Sequence, residues 1–125
     1  MEFNATNREE AIKELTKMLD DFANEAIING KYFNKNEADR YNKIVHLCID
    51  FFQNKNINAK KIEIGEPTKG KPYVGVTIYI DEFELTAANK NEFIELIKMA
   101  DVVIFYGDEE NYFHLTFYVN DIYTE

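Results

Sequence analysis

Tyr73-Val74-Gly75-Val76-Thr77-Ile78-Tyr79-Ile80 alternates apolar residues with tyrosine, glycine and threonine. A period of two belongs to a strand that buries one face and leaves the other outside. Val74, Val76, Ile78 and Ile80 take the inner side, and Tyr73, Thr77 and Tyr79 the outer. Working backwards, Glu66-Pro67-Thr68-Lys69-Gly70-Lys71-Pro72 is a turn. Before it, Ile62 and Ile64 alternate with Lys61 and Glu63 in an earlier strand. Working forwards, Asn89 with Glu92 three residues on predicts the start of a third helix that buries Phe93, Ile97 and Ala100. Strands at 102–107 and 112–120 follow as a hairpin around Asp108-Glu109-Glu110. Phe113, Leu115, Phe117 and Val119 then face inward, and Tyr112, His114, Thr116 and Tyr118 outward.

The first half of the chain has a helical period. Thr6 and Glu9 have the spacing of a capping box, and Ile12, Leu15, Leu19, Phe22, Ala23 and Ala26 share one face of a helix over about 7–28. Asn29-Gly30 is its stop. A second helix over about 36–53 carries Tyr41, Ile44, Val45, Cys48 and Phe52, flanked by Ile49 and Phe51. The short link predicts an antiparallel helical hairpin. The order is therefore α-α-β-β-α-β-β. It predicts one α+β domain over 1–125, a two-layer sandwich with a four-stranded, mainly antiparallel sheet and helices on one face. Residues 7–53 form the hairpin, and 58–125 the ββαββ unit.

Composition narrows the function. The chain has 125 residues, is 46% hydrophobic and 14% aromatic, and so can build a folded core. It has no apolar run of membrane-spanning length, an acidic polar N-terminal stretch unlike a signal peptide, and a single cysteine. These features predict a cytoplasmic protein in a reducing compartment, with no membrane partner. Residues 1–61 hold ten acids and ten bases, whereas 62–125 hold thirteen acids and four bases. The net charge of −9 thus sits entirely in the second half. It disfavours direct nucleic-acid binding and favours a basic protein partner. Asn, Lys and Ile are abundant and Arg appears only twice, a usage that fits AT-rich codons and a bacterial or phage source.

Several chemistries are excluded or disfavoured. Without serine there is no serine nucleophile. Cys48 lies mid-stripe on an apolar helix face, as a structural thiol does, and His46 points away from it. Two histidines and one cysteine lack zinc-ligand spacing. Gly65 to Lys71 imitates a phosphate loop but is followed by Pro72 instead of Ser or Thr. The acidic clusters lack a calcium-loop pattern. No metal, cofactor or catalytic residue is expected, so the chain is read as no enzyme.

What remains is a surface. If the strand at 73–80 and the one at 102–107 run the same way, Asp81, Glu82 and Glu84 share a sheet end with Asp108, Glu109 and Glu110. Beside that rim lies the outer face with Tyr79, Tyr112, His114 and Tyr118. Tyrosine gives contact area at low entropy cost. These ten residues are the candidate partner-binding set. The alternative for the acidic tip is a solvated turn, since hairpin tips are ordinarily polar. Size, acidity and residue usage are similar to those of phage inhibitors that mimic DNA, the anti-CRISPR proteins among them, and to bacterial immunity proteins, although no motif carries the likeness. The expected function is a non-catalytic inhibitor or antitoxin-like module acting on a basic, nucleic-acid-binding type of protein. Two alternatives stand: a homodimeric structural module that buries its tyrosine-rich face against a second copy, and a carboxylate-metal enzyme.

Overall fold

The computed structural model describes residues 2–3, 8–28, 32–53, 57, 59–68, 71–107 and 113–124. The elements are β1 (Glu2–Phe3), α1 (Arg8–Ile28), β2 (Tyr32–Phe33), α2 (Lys35–Phe52), β3 (Lys61–Ile64), β4 (Val74–Ile80), α3 (Lys90–Met99), β5 (Val102–Gly107), β6 (Phe113–Val119) and β7 (Tyr123–Thr124). The long elements follow the expected α-α-β-β-α-β-β order, an α+β fold with its helices packed on an antiparallel sheet. The sheet runs β1-β3-β4-β6-β5, with β2 and β7 as a separate two-stranded ribbon. The short strands β1, β2 and β7 have two residues each, too few to show a period in sequence.

The helices share one layer. Arg8 at the start of α1 donates to Asp50 near the end of α2 at 2.8 Å, so the pair is antiparallel. Asn34 caps α2, its side-chain oxygen accepting from the Glu37 N–H at 3.3 Å. The α2 stripe is buried as its period predicts: Tyr41, Ile44, Val45, Cys48, Ile49, Phe51 and Phe52 are all within the core. Beneath it lie Ile62, Ile64, Val74, Val76, Ile78, Ile80, Leu115, Phe117 and Val119. An aromatic cluster joins the layers. Phe51 and Phe52 meet edge-on at 4.9 Å, Phe83 and Phe93 are 4.9 Å apart, and Phe52 reaches Phe117 at 6.3 Å. Burying each ring is worth roughly 1.5–3 kcal/mol.

Two expectations about α3 change. Asn89 precedes the helix but makes no side-chain cap. Its oxygen accepts from the Thr86 N–H at 2.7 Å and its amide donates to the Glu84 carbonyl at 3.3 Å, closing the preceding turn instead. The buried pair is Phe93 and Leu96, at i and i+3, whereas Ile97 is 39% exposed. Phe113 likewise sits on the helix-side face of β6 yet is 56% exposed, because it lies at the end of the sheet opposite Gly107.

Candidate binding face

The face of the sheet turned away from the helices is built by register. Lys61 of β3 stands opposite Tyr79 of β4, Tyr79 opposite His114 of β6, and His114 opposite Tyr106 of β5. These four side chains form one row across four strands. The Lys61 ammonium lies 4.9 Å from the centre of the Tyr79 ring. Tyr79 meets His114 edge-on at 4.3 Å, and His114 meets Tyr106 at 4.6 Å. His114 Nδ1 and the Tyr106 hydroxyl are 3.1 Å apart, within hydrogen-bond reach.

Polar bonds pin the row. Tyr79 donates its hydroxyl to Glu63 at 2.7 Å, and Lys61 pairs with the other Glu63 oxygen at 3.2 Å. The hydrogen bond to Glu63 pushes the Tyr79 phenol up to about 12. The same bond holds the Glu63 carboxyl below its ordinary value. In the next row, the Thr77 and Thr116 hydroxyls are bonded at 2.9 Å. In the third, Tyr118 lies across Gly75, where an added Cβ would sit 2.7 Å from its ring, and Tyr73 meets Tyr118 edge-on at 5.8 Å. Glycine at 75 is what lets that ring lie flat on the strand.

Of the expected site residues, Tyr79, His114 and Tyr118 are on this face. Asp81, Glu82 and Glu84 lie at one end of the sheet, all exposed. That end is shared with Gly107, because Ile80 pairs with Phe113 and Phe113 with Gly107. Strands β4 and β5 do run the same way, with β6 between them. Asp81 is ion-paired with Lys60 at 2.9 Å, a partner that lies just before β3. Phe83 turns into the aromatic cluster, leaving Glu82 and Glu84 outside. Asp108, Glu109, Glu110 and Tyr112 lie outside the described residues, as does Thr6 of the expected capping box.

The sequence expectation omitted Tyr106, Lys61 and Glu63 from the face. Alternation within β3 turns Lys61 and Glu63 away from the core, but only the pairing register brings them and Tyr106 up to Tyr79 and His114. Elsewhere, Cys48 is fully buried and burial pushes its thiol up. Burial, reinforced by the Arg8 charge, lowers His46. A cleft of about 280 Å³ separates α1 from α2, lined by Thr16, Leu19, Ala23, Ala38 and Asn42, with Lys35 and Asp39 beside it. Among the described residues, no three His, Cys, Asp or Glu side chains are grouped to hold a metal ion. No helix there is long and apolar enough to cross a membrane. No protein-family model, curated protein or solved structure matches this chain.

Proposed function

We propose that this chain is a non-catalytic, acidic protein-binding module that recognises a basic protein through the helix-free face of its sheet. The observation that carries this reading is the row Lys61–Tyr79–His114–Tyr106, whose rings are fixed by one another and by Glu63 before any partner arrives. A fixed aromatic surface loses little side-chain entropy on binding. Its net charge of −9, all of it in residues 62–125, raises the encounter rate with a positive surface and repels a phosphate backbone. The partner that fits best is a cytoplasmic nucleic-acid-binding protein with a positive groove, and occupying that groove makes the chain an inhibitor of the immunity or DNA-mimic kind. Cys48 is enclosed in the core, which does not suit a nucleophile, and His114 is held between Tyr79 and Tyr106 as part of the row.

Affinity capture from host-cell lysate at about 50 mM and about 500 mM salt tests the reading. Wild type is expected to retain a basic protein at low salt and release it at high salt. The Tyr79→Ala/Tyr118→Ala chain is expected to lose it while keeping its circular-dichroism spectrum. Equal retention by both chains would remove the face from the interface, and retention of no basic protein would sink the function.

A further inference from the structure

The exposed large apolar side chains of this molecule are not scattered. Among the described residues nine are exposed, and seven of them fall in the strip of chain from Ile94 to Tyr106 and its paired residue Phe113: Ile94 and Ile97 on α3, Val102, Ile104, Phe105 and Tyr106 on β5, and Phe113 beside Gly107. Their exposures run from 39% to 60%. Summed over α3 and both faces of β5, side chains of this size leave roughly 700 Å² exposed, close to one partner's share of a standard interface.

The strip lies along an edge. β5 is the last strand of its sheet, and among the described residues no strand pairs with its outer side. Val102 to Gly107 contains no charge and no proline, two of the devices that keep an edge from pairing. The opposite edge differs, since β1 is only two residues long and begins with Glu2. Both faces of β5 are apolar and open, with Val102, Ile104 and Tyr106 on the outer face and Phe105 on the helix side.

We propose that β5 pairs antiparallel with β5 of a second copy about a twofold axis at Ile104, joining the two sheets into one twice as wide. A twofold axis normal to the sheet keeps each face on its own side, so paired residues must match in parity. Ile104 then meets Ile104, and Val102 meets Tyr106 on the outer face. Val103 meets Phe105 on the helix side, where Ile94 and Ile97 of the two α3 helices close over the seam. Every such pair is apolar, which is the complementarity a second copy supplies without further design. Asp101, which would meet Gly107 of the copy, is already held by Arg40 at 2.8 Å. The Tyr79–His114 row stays uncovered, so the basic partner proposed above has a doubled face to bind.

Sedimentation or light scattering of the full chain from about 1 to about 100 μM tests the seam. Wild type is expected at a mass near twice 14.7 kDa. Ile104→Lys sets two charges against each other on the axis and is expected to weaken the dimer by about 100-fold or more, with the spectrum of the folded chain unchanged. Under oxidation, Ile104→Cys is expected to give a covalent dimer and Tyr73→Cys, on the same face but off the edge, is not. A monomer across the whole range would overturn the proposal and leave the edge to an extended segment of another protein. A dimer indifferent to Ile104→Lys would overturn it in favour of another surface, the tyrosine face first. Neither result touches capture of a basic partner, which the Tyr79→Ala/Tyr118→Ala chain reports separately.

Discussion

Gly65 and Gly75 mark a close approach of β3 to β4. The Gly65 N–H donates to the Gly75 carbonyl at 3.0 Å, and a Cβ on Gly65 would press into that same oxygen, far inside contact distance. Tyr41 rises from α2 to the same spot, its hydroxyl 2.8 Å from the Gly65 carbonyl and 3.2 Å from that of Gly75. The hydroxyl is enclosed, and burial pushes its ionisation far up, so it stays a donor at any working pH. Gly65→Ala must therefore move backbone, and is expected to lose about 1–3 kcal/mol in chemical denaturation. Tyr41→Phe keeps the packing and removes the shared hydrogen bond, for an expected loss of about 1–2 kcal/mol. If Gly65→Ala unfolds at the wild-type midpoint, the close approach is not a constraint. Neither effect was legible in the sequence. Gly65 reads there only as the start of a rejected phosphate-loop pattern and Tyr41 as one more stripe residue, because a carbonyl contact 24 residues away leaves no local pattern.

At the scale of elements, Arg40 joins α2 to the start of β5. It donates to the Met99 carbonyl at 2.8 Å and to both Asp101 oxygens at 3.1 and 2.8 Å, and it pairs with Glu37 one turn back. Asp101 also accepts from the Asn120 N–H at 2.7 Å, so the clasp reaches the end of β6. Arg40→Met is expected to cost about 1.5–3 kcal/mol, measured by urea unfolding. The Arg40 guanidinium holds the Asp101 carboxyl below its ordinary value of 3.8. Below that value the unfolded chain takes up the proton first, so this stability is complete above it and drains as pH falls through the lower native value. Thermal melts from pH 6 to pH 2.5 should show Asp101→Asn losing less stability over that acid limb than wild type. Elements were the level at which sequence spoke best, since buried stripes repeat. The stripes of α2, β3 and β4 were legible residue by residue. On α3, Ile97 and Leu96 lie on neighbouring flanks of one apolar arc, and only the position of α2 and Phe51 decides which is inside. The apolar edge of β5 was hidden for a related reason, because six apolar residues in a row suit a central strand as well as an edge.

The whole molecule sets two kinds of association against each other through one charge. Each copy carries −9, and β5 belongs to the half that holds all of it. Pairing two copies brings like charge together, while binding a basic protein brings opposite charge together. Raising salt from about 50 to about 500 mM shortens the screening length from about 14 Å to about 4 Å. Screening should then tighten the β5 dimer, by roughly threefold to tenfold in dissociation constant, because the apolar seam itself is little affected and the repulsion around it fades. The same change should weaken capture of the basic partner by about tenfold or more. Opposite salt slopes measured on one preparation, by sedimentation for the first and surface capture for the second, would establish two separate surfaces. Phe105→Lys, on the helix side of the edge, should abolish only the first slope and Tyr79→Ala/Tyr118→Ala only the second. If both slopes have the same sign, or one variant removes both, a single surface serves both contacts and the division between edge and face fails.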